Sequence, residues 1–181
     1  MDPEPLEPRE PSPLPYRLLL VQGFVLVLQW LHYYPLMPAR MATHFGAGGE
    51  ANGWMARDGF LLFFFAMIGF MVTLMLAMPK LIGLFPDSMI NLPHKAYWLA
   101  PERRPLTMSI VASFMAWLAV IVVGLFMAIL QLTFLSNLEP KPRLDGVAAA
   151  VAMIAFFVSM AVWLVLFYRA FRMPAGPEAP R

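Results

Sequence analysis

MPARMATHFGAGGEANGWMARD, residues 37–58, lies between two long apolar runs and is the least membrane-like segment beside them. Gly46, Gly48, Gly49 and Gly53 fall within this stretch. Such a density of glycine argues against regular helix or strand and for a tight loop with close backbone approach. The same stretch carries His44, Glu50, Asn52, Trp54, Arg57 and Asp58, a dense set of hydrogen-bonding and titratable groups. Recognition, if the chain performs any, is expected here first.

Outward from this segment the chain turns apolar. Hydrophobic residues make up 60% and charged residues 13% of 181 positions, with a mean hydropathy of +0.67. That is outside the soluble globular range. The apolar residues gather into four runs at about 17–34, 59–78, 106–135 and 146–168, all but the longer third near the ~20 residues a bilayer crossing requires. The fold class expected is all-α: an integral-membrane bundle of four transmembrane helices with a structured glycine-rich outer loop, occupying 17–169. The lipid bilayer is then the first partner. A net charge of +2 is too small to point to nucleic acid. With no cysteine, disulfides, thiolate metal sites and cysteine nucleophiles are excluded. Fifteen Met and fifteen Phe suit packing in lipid and between helices.

In chain order, residues 1–16 hold six prolines and four acids, which predicts an extended, disordered cytoplasmic tail. The first span is read as an anchor rather than a cleaved signal, because its leader is acidic and no small-x-small cleavage site follows. Gln22 and Gln29 share a helical face with Tyr33 nearby. Amides are costly against lipid, so this stripe should face other helices. Asp58 is placed as N-cap of span two and Pro79 as its end. Ala66, Gly69, Thr73 and Ala77 form a seam suited to close helix contact. Span three, at about 45 Å, must tilt, bend near Gly124 or project beyond the hydrocarbon. Asp145 is expected to cap span four, and 170–181 forms a second cytoplasmic tail.

With both termini cytoplasmic, the inner segments hold Arg9, Arg17, Lys80, Lys95, Arg103, Arg104, Arg169, Arg172 and Arg181. The outer loops hold only Arg40, Arg57, Lys141 and Arg143. This asymmetry predicts that residues 37–58 face outward.

Three chemistries can be weighed. His32, His44, Glu50 and Asp58 could together supply nitrogen and oxygen ligands for zinc, but their spacing matches no strong metal signature. The simpler reading is that the loop is closed by side chain to backbone hydrogen bonds, and no cofactor is expected. A hydrolase would use His44 as base with Glu50 or Asp58 behind it, yet no nucleophile elbow accompanies them. The Pro79–Pro105 loop could dock a membrane or cytosolic protein, with Trp98 as anchor and Arg103 and Arg104 as acid-pairing groups. Its aromatic and basic residues equally suit an interfacial belt.

Two segments together resemble a known family. LMPARMATHFGAGGEANGW is similar to the LP-x-x-(V/I)-x-x-HF-x-x-x-G-x-x-x-G-W pattern of a bacterial membrane domain of unknown function. That domain also forms the N-terminal part of SdpI-type immunity proteins. NLPHKAYWLAPERR resembles the NLPNKxYWLAPERR segment of its stand-alone members. The matching positions are Pro38, His44, Phe45, Gly49, Gly53 and Trp54, then Asn91, Pro93, Lys95, Tyr97, Trp98, Pro101, Glu102, Arg103 and Arg104. The family's usual Asn after Pro93 is His94 here. The resemblance, covering roughly 18–105, implies a multi-pass protein of the bacterial inner membrane. The expected function is non-enzymatic binding or sensing, related to immunity or signalling. An envelope ligand or peptide would be recognised through His44, Phe45, Gly49, Glu50, Asn52, Gly53 and Trp54. A metal-assisted hydrolase is one alternative. An accessory subunit docking through Asn91, Lys95, Tyr97, Trp98, Glu102, Arg103 and Arg104 is the other.

Overall fold

The computed structural model describes residues 12–173. Residues 1–11 of the proline-rich leader and 174–181 of the closing tail lie outside the described residues. Among the described residues four helices are long and apolar enough to cross a membrane, which makes the chain a multi-pass membrane protein. They are α1 (Leu14–Tyr33), α2 (Arg57–Gly83), α4 (Arg104–Leu138) and α5 (Gly146–Ala170). A one-turn helix α3 (Lys95–Trp98) interrupts the connection from α2 to α4.

The central helix is α4, against which α1, α2 and α5 all pack. Its contact face is built from Ala116, Ala119, Val123, Leu130 and Phe134, all buried. Small residues in the middle let neighbours approach, and the larger ones fill the space toward one end. Leu26 of α1 and Phe60, Leu61, Phe64 and Ile68 of α2 complete that core. The expected amide stripe on α1 does face α4. Gln22 Nε2 donates to the Val120 carbonyl at 3.0 Å, Gln29 Nε2 to Gln131 Oε1 at 2.9 Å, and Gln131 Nε2 to the Tyr33 hydroxyl at 2.6 Å. Helix α5 touches α4 through Trp163, whose Nε1 donates to the Phe114 carbonyl at 2.9 Å. None of its residues is buried, so most of its surface is left for lipid.

Several boundaries differ from those read in the sequence. Helix α1 begins at Leu14 rather than Arg17, because Pro15 sits in the first turn, where its missing N–H costs nothing. Helix α2 continues past Pro79 to Gly83, since neighbouring helices make internal proline tolerable in spanning segments. Asp58 is not its N-cap: the capping position is Ala56, without a side-chain cap, and Asp58 lies in the first turn. The small-residue seam of α2 is not its packing face either. Ala66, Gly69 and Thr73 are exposed, and the large Phe60, Leu61, Phe64 and Ile68 are buried instead. Helix α4 runs unbroken through Gly124. Asp145 does cap α5, accepting from the Val147 and Ala148 amides at 2.9 and 3.0 Å.

The bundle has two differently finished ends. At one, Ile90, Leu92, Tyr97, Trp98 and Leu99 pack with Val111 and with Phe171 just beyond α5. At the other end the chain between α1 and α2 folds back on itself. Against the expectation of an irregular loop, it forms an antiparallel hairpin, β1 (Arg40–Phe45) and β2 (Ala51–Ala56). The fold is therefore helical with a two-stranded head.

Candidate functional site

Helix α4 positions the hairpin with one side chain. Asn137 Oδ1 accepts from the Ala42 amide at 2.7 Å, and Asn137 Nδ2 donates to the Ala42 carbonyl at 2.8 Å. The same Nδ2 also reaches the Thr133 carbonyl at 2.8 Å. A carboxamide carries the donor and acceptor of a peptide, so Asn137 substitutes for a third strand along the β1 edge. In an antiparallel ladder, opposite residues exchange both hydrogen bonds or neither. Because the polar groups of Ala42 are held by Asn137, its partner Trp54 also turns its N–H and C=O outward, along the open edge of β2. Met41 and Ala42 are fully buried, so this part of β1 belongs to the core.

The tip of the hairpin is held by the α4–α5 connection. The Leu144 amide donates to the Gly49 carbonyl at 2.8 Å, Arg143 Nη2 to the Gly48 carbonyl at 3.0 Å, and Glu50 bridges Arg143 in antiparallel fashion. Gly49 adopts φ +84°, and a Cβ there would lie 2.7 Å from the Leu144 carbonyl oxygen. Glycine is required by both conformation and proximity.

Register breaks at the centre of the hairpin: His44 pairs with Gly53, leaving Thr43 and Asn52 without opposite partners. The break brings the His44 imidazole Nδ1 against Asn52 Oδ1. A Cβ at position 53 would meet His44 Cβ at 2.7 Å. Gly53 thus makes room for the histidine, a physical reason for HF and GW to occur in one motif. Gly53→Ala is expected to weaken the hairpin by about 1–3 kcal/mol, as overpacking does. Amide exchange should accelerate across 40–56 and leave the helices unchanged.

His44, Glu50, Asn52 and Trp54 are exposed, Phe45 and Gly53 half-buried, and Gly49 buried. The proposed zinc set is not assembled. The His32 ring packs edge-on against Tyr33 at 4.7 Å between centroids, and His44 is paired with Asn52. Asp58 Oδ1 accepts from the Tyr34 hydroxyl at 2.9 Å and from Arg57 Nε at 3.2 Å. Among the described residues no three His, Asp or Glu side chains are grouped to hold a metal ion. Sequence reasoning missed Asn137, because a lone amide near the end of a spanning helix carries no signal of what it clamps. It also underrated Arg57, whose guanidinium lies 4.0 Å over the Tyr34 ring. Arg57 also donates to the carbonyls of Tyr34 and Met37 at 3.4 and 3.3 Å.

The second candidate surface is organised inward. Tyr97 and Trp98 are each 7% exposed, so Trp98 is not a free anchor for a partner. Its Nε1 donates to the Phe171 carbonyl at 3.0 Å, and its own carbonyl accepts from the Thr107 hydroxyl at 2.6 Å. Arg103 lies 4.0 Å over the Tyr97 ring, and Arg104 is paired with Asp87. Asn91, Lys95 and Glu102 remain exposed. His94, at the N-cap of α3, adopts the left-handed conformation with φ 51° and ψ 41°, a region Asn also tolerates. That is the physical reason the resembling segment can carry Asn there. His94→Val is expected to cost about 1–2 kcal/mol and His94→Asn little, measured as thermal unfolding in detergent.

A protein-family model described as a domain of unknown function (DUF1648) matches residues 23–70. The match spans the second half of α1, the whole hairpin and the first half of α2. No curated protein and no solved structure matches the chain. The hairpin and the helices that carry it are therefore the part of this chain similar to that membrane-associated domain.

Proposed function

We propose that this chain is a binding or sensing protein of the bacterial inner membrane, of an immunity or signalling kind, that recognises an envelope ligand or peptide on its hairpin. The observation that carries the reading is the division of the hairpin into a buried and an exposed part. Met41 and Ala42 are locked into the bundle, while His44, Asn52 and Trp54 stand exposed on a base fixed by Asn137. A rigid support beneath exposed polar and aromatic groups is what a recognition surface needs. Trp54 adds an amphipathic ring and an outward backbone donor–acceptor pair. The excess of Lys and Arg in the segments at the opposite end supports an outward-facing hairpin. A hydrolase reading has less support, since no three of its candidate His, Asp and Glu side chains are grouped among the described residues.

Photo-crosslinking in living cells tests the proposal. A photoreactive residue at position 54 should yield an adduct of defined mass that disappears with His44→Ala at equal protein level. The same residue at exposed Leu84, at the other end of α2, should not yield it. Absence of adducts from positions 44, 52 and 54 alike would discard the reading. Modification of Ala47→Cys by an impermeant reagent only after the cells are opened would reverse the orientation.

A further inference from the structure

A separate feature lies where α1 and α2 diverge over α4. The two helices leave a groove of about 420 Å³ between them, within the range of ligand sites. Its walls are Val27, Leu61, Leu62 and Phe65, and Trp30 and Tyr34 stand toward the hairpin end. Leu62 is 74% and Val27 41% exposed, so the groove opens sideways into the lipid. At its mouth sits one charged group, Asp58. Its Oδ1 is engaged by Tyr34 and Arg57, Oδ2 makes no hydrogen bond among the described residues, and the side chain is 75% exposed. Trp30 adds a buried indole Nε1 that likewise has no hydrogen-bond partner.

From this we infer that the groove holds one chain of a zwitterionic phospholipid with a primary-amine headgroup, a phosphatidylethanolamine. The chemistry divides into two matched parts. An acyl chain fits the apolar walls and reaches them directly from the bilayer. An ammonium supplies N–H donors to the free Oδ2 of the Asp58 carboxylate. The free Oδ2 of Asp58 thus selects a headgroup that carries N–H donors and a positive charge. A choline head has no N–H to give, and a glycerol head has no cation.

Native mass spectrometry of the full chain in detergent, titrated with phosphatidylethanolamine, phosphatidylcholine and phosphatidylglycerol of identical acyl chains, tests the site. The ethanolamine lipid should give about three- to fivefold more adduct than either other, the scale of one exposed ion pair. Asp58→Asn should abolish that preference with an unchanged circular-dichroism melt. Leu62→Trp, at an exposed position, should fill the groove and lower adducts of all three lipids. Equal adducts for the three headgroups, or a preference that survives Asp58→Asn, would overturn the assignment. Retention unaffected by Leu62→Trp would equally remove the groove from it.

Discussion

Replacing Asn137 by Leu is expected to release the hairpin from the bundle. Leucine keeps the branching and heavy-atom count of asparagine and belongs in a spanning helix, so the main defect is the lost hydrogen bonding. The Ala42 amide and carbonyl, held at 2.7 and 2.8 Å by Asn137, would both be stranded at a fully buried residue. Each buried polar group left unsatisfied costs about 1–3 kcal/mol, giving about 2–6 kcal/mol against the docked state. The hairpin has little with which to resist. Two strands alone are marginally stable in water, and its other ties are Arg143 and Leu144 at the tip and Arg57 at the base. Hydrogen exchange should rise at Met41–Phe45 by two orders of magnitude or more, and protease should cut near the tip at Gly46–Gly49. Core helix amides around Val123 and Leu130 should exchange as before. If exchange at Ala42 stays slow in Asn137→Leu, the clamp is not what fixes the head.

The same residues show why part of this architecture can be read from the chain and part cannot. Span count follows from apolar length, a one-dimensional property, and the Asp145 cap follows from its position before an apolar run. The glutamine stripe was legible because an amide in hydrocarbon has few alternatives to another helix. The hairpin was not. ANGWMA contains Gly and Asn, which disfavour strand locally, and the pairing has a break where His44 meets Gly53. Its third edge is supplied by Asn137, far along the chain, so no window of local sequence contains the reason for it. The positions singled out in 37–58 nevertheless include the ones the hairpin exposes. Dense glycine marked close backbone approach correctly but misjudged its form. The seam in α2 failed for a related reason: small residues permit close packing without specifying a partner, and the larger face won the contact with α4.

Trp98→Ala separates two accounts of the loop between α2 and α4. If Trp98 were an anchor for another protein, its removal would leave the isolated chain as stable as before and weaken only co-purification. The structure leads to the opposite expectation. Trp98 is 7% exposed and stands edge-on to Tyr97 and Phe171, with ring centroids at 5.2 and 5.4 Å. Its indole N–H satisfies the Phe171 carbonyl just past the end of α5, a group no further helical turn can reach. Truncating a buried tryptophan typically costs about 3–5 kcal/mol. The loss should fall on the attachment of α5, which packs chiefly on α4 and buries no residue of its own. In detergent, Trp98→Ala should lower the unfolding temperature and speed amide exchange over Phe167–Phe171, while the hairpin amides stay protected. Trp98→Phe keeps the ring contacts but strands the Phe171 carbonyl, so an intermediate loss of about 1–3 kcal/mol is expected. A Trp98→Ala chain with wild-type stability and undisturbed exchange at α5 would return the residue to the role of an external anchor.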